Sequence, residues 1–347
     1  MIRSITFILL FLFTVPVHGQ QKTPDPANGL INWMTIEQAM EAHAKIQKPV
    51  LLDFYTDWCG WCKRMMQTTY SDPAIAHYIN NYFYPVKFNA EDKDTITYLG
   101  KTYKPTGEGN RVPHEFAVAM LGGKLSYPTT VFLNGWDAAK NAFLLNMVVP
   151  GYLDKQKIEP FLVFVVENVF RNSSYDEFGA SFEKAFRDST LDEQLKKIKW
   201  LTPAEAFNFP AKEKKKSIVL IQTNWCNSCR VMERTSFIDP SVFGYADTTY
   251  RFINLNAELK DSISFQGKSF VNLSQPQAPF HQLAVSLCKG NLVLPTVALL
   301  DEENNLLDAI PFYLPPSVMK KILFYFGEDL YKTKSWKEFM NEYKELK

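Results

Sequence analysis

Residues Asp53-Phe54-Tyr55-Thr56-Asp57-Trp58-Cys59-Gly60-Trp61-Cys62-Lys63 carry an apolar run straight into a pair of cysteines two residues apart. Val50 to Tyr55 is β-rich and, Asp53 aside, apolar throughout, the pattern of a central strand buried on both faces. Lys63 to Thr69 reads as the helix that follows, so Cys59 falls at a helix N-terminus. The same pattern returns 167 residues later around Cys226-Asn227-Ser228-Cys229. At that offset Trp33 maps to Trp200, Trp58 to Trp225, His114 to His281, Pro128 to Pro295, and Asn89-Ala90-Glu91 to Asn256-Ala257-Glu258. Beyond the second proline-led strand the offset falls to 161, where Pro150 matches Pro311 and Phe178 matches Phe339. The chain reads as a duplication of a whole domain.

Within the first copy the expected order is a helix from Thr35 to Ile46, the Val50 strand, the CxxC helix, a helix opened by Asp72-Pro73, and a strand from Tyr84 to Phe88. Residues 92 to 113 are polar and read as an inserted loop. A short helix from Pro113-His114, the strand Tyr127 to Leu133, its hairpin partner Ala142 to Val149, and a long amphipathic helix from Asp154 to Phe170 follow. A last helix starts near Ser174. The resulting division is 1–19 a secretory signal, 33–185 the first domain, 186–199 a linker and 200–347 the second domain.

The signal rests on Met-Ile-Arg followed by an apolar run from Ile5 to Val17, too short to span hydrocarbon, which predicts a soluble, exported, most simply periplasmic protein without stable membrane insertion. With 38 basic and 37 acidic residues there is no excess charge for nucleic acid. Lys212 to Lys216 reads as a solvated lead-in to a strand. Four of the five cysteines lie in the two close pairs, which close almost no loop and so do little as structural staples. The fifth, Cys288, has no counterpart and reads as a buried thiol. His114 and His281 read as helix starts, because zinc wants four converging ligands and each copy offers three, so no metal site is expected.

The element order, the Asp53–Lys63 stretch and the Tyr127-Pro128-Thr129 turn resemble the thioredoxin superfamily, with Trp61 where thioredoxins usually carry proline. That resemblance implies an α/β fold of two tandem thioredoxin-like domains, each a central mixed sheet flanked by helices, with an inserted region and an extra C-terminal helix. It implies a thiol-disulfide oxidoreductase with redox-active cysteines and no dissociable cofactor. Helix N-termini favour thiolates, so Cys59 and Cys226 are the expected nucleophiles, with Cys62 and Cys229 resolving. Asp53 resembles the family's buried acid/base carboxylate, whereas the second copy has Leu220 there. By the same resemblance Pro128 and Pro295 are expected to be cis. Tyr127 and Leu294 would shape a groove for an extended peptide beside Trp58, Gly60, Trp61 and Trp225. The implied partners are disulfide-containing proteins and, for a reductase, an electron donor in the membrane. A client-binding or chaperone-like module of the same fold, with one or both CxxC pairs redox-inert, is the other reading left open, as are the direction of electron flow and the oligomeric state.

Overall fold

The computed structural model describes residues 28–207 and 214–343; the expected signal segment lies outside them. Thr35 opens α1 (Ile36–Lys45) with a capping box, its hydroxyl accepting the Gln38 N–H while the Gln38 side chain accepts the Thr35 N–H. The chain then turns through Lys48-Pro49 into β1 (Val50–Tyr55), whose Leu51, Leu52 and Phe54 are wholly buried. Two helices follow, α2 (Gly60–Gln67) and α3 (Pro73–Tyr82), the latter opened by Asp72, whose carboxylate accepts the Ala74 and Ile75 N–H groups. β2 (Tyr84–Asn89) lies parallel to β1, as the helical crossover requires.

Residues 92–113, expected as a loop, contain a hairpin of β3 (Ile96–Tyr98) and β4 (Lys101–Tyr103). Its two turn residues, Leu99 and Gly100, both have positive φ, as a tight hairpin of right-handed twist demands. Leucine is a rare occupant of that conformation, which hid the turn. After α4 (Glu115–Met120), β5 (Thr129–Asp137) returns antiparallel to β1 and pairs with β6 (Ala142–Pro150), giving the order β2-β1-β5-β6. Met34 adds a single parallel bridge to Val86 at the β2 edge.

The long helix expected to reach Phe170 stops earlier. α5 (Lys155–Val166) ends where Asn168 turns left-handed, and a 3-10 turn over Val169–Arg171 leads to α6 (Tyr175–Arg187). A short α7 (Leu191–Leu195) then leads into the second half.

There β7 (Trp200–Leu201), α8 (Pro203–Phe207), β8 (Lys216–Gln222), α9 (Asn227–Val231), a π-helical turn over Met232–Ser236, α10 (Pro240–Thr249) and β9 (Tyr250–Asn256) repeat the order. So do β10 (Ile263–Phe265), β11 (Lys268–Phe270), α11 (Gln282–Leu287), β12 (Thr296–Leu300), β13 (Leu306–Pro311), α12 (Pro316–Gly327) and α13 (Trp336–Glu342). The second sheet runs β13-β12-β8-β9-β7. Lys216 departs from the solvated reading: only 4% exposed, it pairs with Glu302 and Asp329.

The halves share one apolar cluster that runs from Leu51 and Met66 through Phe164 and Phe178 to Tyr313 and Phe339. Phe178 meets Tyr313 edge-on at 5.2 Å, and Arg234 Nε donates to Ala185 O at 2.7 Å. α6 of the first half therefore lies against the CxxC helix of the second.

Candidate active sites

The CxxC turn follows from where β1 ends. Thr56 O accepts the Cys59 N–H, and Cys59 becomes the N-cap of α2, with its sulfur accepting the Cys62 N–H at 3.1 Å. A disulfide joins Cys59 to Cys62, with Cα atoms 5.3 Å apart. Cys226 and Cys229 repeat this geometry on α9, again with a disulfide and Cα atoms 5.3 Å apart. The N–H groups of a helix start favour a sulfur anion at the N-cap position, which Cys59 and Cys226 occupy.

Asp53 is 1% exposed and sits mid-strand with β2 on one side and β5 on the other. The Tyr70 phenol donates to its Oδ1 at 3.2 Å, while Oδ2 has no partner among the described residues. Burial pushes its carboxyl from 3.8 up to about 7, against the opposing pull of the Tyr70 hydrogen bond and the Lys87 ammonium. A cavity of about 440 Å³ lined by Thr56, Met66 and Lys87 opens beside Cys62.

At the matching positions the second copy has Leu220, Phe237 and Asn254 for Asp53, Tyr70 and Lys87. Phe237 keeps the packing, meeting Trp200 edge-on at 5.2 Å as Tyr70 meets Trp33 at 5.0 Å, without the hydroxyl. The signal for it in the sequence is the offset of 167, which sets Phe237 against Tyr70 and Asn254 against Lys87, so that a whole polar set is lost with Asp53.

Trp58 and Trp225, expected beside a peptide groove, stand 52% and 56% exposed, each held by a hydrogen bond from its indole N–H to Glu91 or Glu258. That bond accounts for the repeated Glu, and the Asn two residues before it accepts the glutamate's own N–H. The peptide bonds before Pro128 and Pro295 are cis. Tyr127 meets Trp58 edge-on at 6.2 Å, whereas Leu294 packs against the apolar cluster of its own half. Gly60 has open space around it, and Trp61, 63% exposed, leans on Tyr152 at 5.4 Å. His114 and His281 are helix N-caps with both ring nitrogens engaged, Nδ1 accepting from Phe116 or Leu283 and Nε2 donating to Asp94 O or Asp261 O. Cys288 is a buried free thiol.

A family model named Thioredox_DsbH, described as a protein of unknown function, DUF255, matches residues 25–143. This falls on the first CxxC pair and its strands, and the second half repeats their order around its own pair. Both halves are thioredoxin-like domains. Of the curated relatives, the thiol:disulfide interchange protein DsbD of Photorhabdus laumondii subsp. laumondii is 35% identical over 83 residues, 21% of this chain and 14% of that protein. The chain thus spans a small fraction of the relatives it matches. Among solved structures, a thioredoxin from Thermus thermophilus (17% identity, TM-score 0.27) covers 38% of this chain and 84% of its own. The first two thioredoxin domains of Saccharomyces cerevisiae Eps1p (14% identity, TM-score 0.23) cover 79% and 89%.

The second thioredoxin-like domain differs from the first in one more respect. Glu167, the residue that ends α5 of the first domain, reaches the start of α9. Its carboxylate accepts the Asn227 N–H at 3.1 Å and the Ser228 N–H at 2.7 Å, and lies 3.6 Å from Cys226 Sγ. Burial raises its pKa, with the Ser228 hydroxyl and the two N–H donors opposing. Ser228 is fully buried where Trp61, its counterpart, is exposed. Nothing comparable among the described residues takes the Gly60 or Trp61 N–H groups.

Proposed function

We propose that this chain is an exported thiol-disulfide oxidoreductase that exchanges disulfides with protein clients, chiefly through Cys59 and Cys62. The observation that carries the reading is the combination at the first site: a helix-capping cysteine, a disulfide, and a carboxyl brought to about 7 by burial in the strand that leads into them. In the reducing direction the Cys59 thiolate attacks a client disulfide and the client's leaving sulfur departs as a thiolate. The Cys62 thiol then loses its proton, with Asp53 as the base, and its sulfur displaces the client from Cys59. The products are a client dithiol and the Cys59–Cys62 disulfide, which another dithiol must reduce. No dissociable cofactor enters, since the cysteines carry the electrons.

The exposed indoles of Trp58 and Trp61 and the half-buried Tyr127 offer an aromatic rim for a client's extended segment. The partial likeness to thiol:disulfide interchange proteins favours a location outside the cytoplasm and a membrane-borne electron donor. Among the described residues no helix is long and apolar enough to cross a membrane. The test is insulin reduction together with client trapping in a periplasmic extract. Cys62→Ser should accumulate mixed disulfides on Cys59 and Cys59→Ser should lose reductase activity. A Cys59→Ser variant with full activity, or a Cys62→Ser variant that captures nothing, would favour a client-binding module with inert cysteines.

A further inference from the structure

We infer that Glu167 is a negative cap on the second CxxC pair, supplied by the first domain, which holds Cys226 as a poor nucleophile and reserves client attack for Cys59. The inference rests on the reading that the CxxC pairs exchange disulfides, and it assigns the division of labour between them. The N–H groups at the start of α9 are the donors that would stabilise a Cys226 thiolate, and two of them are already given to the Glu167 carboxylate. The remaining approach places that carboxylate 3.6 Å from the sulfur, where a second negative charge is opposed. Exposure does not separate the two nucleophiles, at 4% for Cys59 and 3% for Cys226; the charge beside them does.

No cation neutralises the cap among the described residues. Lys155, Glu159 and Arg187 line the neighbouring interdomain cavity of about 550 Å³ with Tyr78 and Asn227. Lys155 pairs with Asp72 and Arg187 with Glu183, while Arg230 of α9 lies over the Phe186 ring. Tyr78 of α3 feels the Glu167 charge, which works with burial to keep its phenol protonated. The flank that clients would use is covered too. Tyr313, the counterpart of Tyr152, is wholly buried against Phe178 of the first domain, and Asn172 Nδ2 donates to Pro311 O at 3.0 Å. Glu328, which corresponds to Glu167 in the repeat, instead accepts the Tyr245 hydroxyl at 2.7 Å.

Reduction of Cys226–Cys229 by a dithiol takes up two electrons and two protons and converts the dithiol to its disulfide. One proton stays on Cys229, and the other is shared by Cys226 and Glu167. In full-length protein reduced with dithiothreitol, iodoacetamide labelling is followed at each cysteine by peptide mass spectrometry between pH 5 and 10. Wild-type Cys226 should react at least tenfold more slowly than Cys59 at pH 7, with its midpoint above Cys59's. Glu167→Gln should speed Cys226 at least tenfold and move its midpoint down, with the Cys59 profile unchanged, and Glu328→Gln should leave both profiles in place. Equal wild-type profiles at the two cysteines overturn the inference whatever the variants do, as does a Cys226 profile unmoved by Glu167→Gln. Loss of insulin reduction on Cys59→Ser is read separately, so failure of the functional reading is distinguishable.

Discussion

Replacing Asp53 by Asn should stabilise the first domain at alkaline pH and leave it nearly unchanged in acid. The folded carboxyl titrates near 7 and the unfolded one near 3.8. Below the lower value both states are protonated and the group contributes nothing to pH dependence. Between the two, the unfolded chain ionises while the folded one cannot, so stability falls as pH rises, and above about 7 the full loss is in place. At 1.36 kcal/mol per pKa unit the difference between 3.8 and 7 is worth on the order of 4 kcal/mol. Asn fits the site, because its carbonyl can keep the Tyr70 hydrogen bond and its amide occupies the position of the unpartnered Oδ2. The assay is urea unfolding of the oxidised protein at pH 4 and pH 8, followed by hydrogen exchange at β1 amides so that the second domain's unfolding is not mixed in. The difference between variant and wild type should grow by a few kcal/mol from the lower to the higher pH. A constant difference, or one that shrinks with pH, would refute the assignment of a burial-raised carboxyl. The same variant should slow resolution of the trapped client, because Asn accepts no proton from Cys62.

Tyr70→Phe, which copies Phe237, removes the one hydrogen bond to Asp53 and should cost about 1–3 kcal/mol. It should also move the carboxyl's titration above its present value, read by infrared or by the pH dependence of Cys62 labelling. His114→Ala and His281→Ala each remove a fully buried helix cap and should each lower stability by about 2 kcal/mol by urea unfolding, without changing metal content. Trp58→Phe, which loses the bond to Glu91 but keeps an aromatic face, should weaken client capture by a few-fold while leaving small-thiol reduction unchanged.

What could be read in advance was what is local in the chain. Thr35 and Asp72-Pro73 announce their helices because a cap acts on N–H groups two or three residues away. The strand-to-CxxC junction is legible because burial on both faces leaves an unbroken apolar run. Asp53 stood out by the same logic in reverse, as a carboxyl in a run where ionisation is costly. The β3–β4 hairpin was not legible, because Leu99 and Gln266 occupy left-handed positions that favour Asn or Gly. The early end of α5 was not either. Val165-Val166-Glu167-Asn168-Val169 continues the apolar pattern through Asn168, and only the backbone shows the turn.

Glu167 belongs to a different class. Read within its own copy it is the last residue of an amphipathic helix, where a carboxylate is unfavourable beside the helix's own carbonyl end. That cost is recovered at another helix's start, which lies 60 residues further on and becomes its neighbour only once the two domains pack. Repeat alignment points away from the contact, since it pairs Glu167 with Glu328 and Asn227 with Gly60. A duplicated sequence therefore displays substitutions inside each copy, such as Leu220 for Asp53 and Phe237 for Tyr70, but is silent about contacts made between copies. The two kinds of difference act in the same direction on the second site. The first removes the buried carboxyl from the strand that leads into the cysteine pair, and the second sets an external one 3.6 Å from Cys226 Sγ. A domain that had merely decayed after duplication would account for the first and would give no reason for the second.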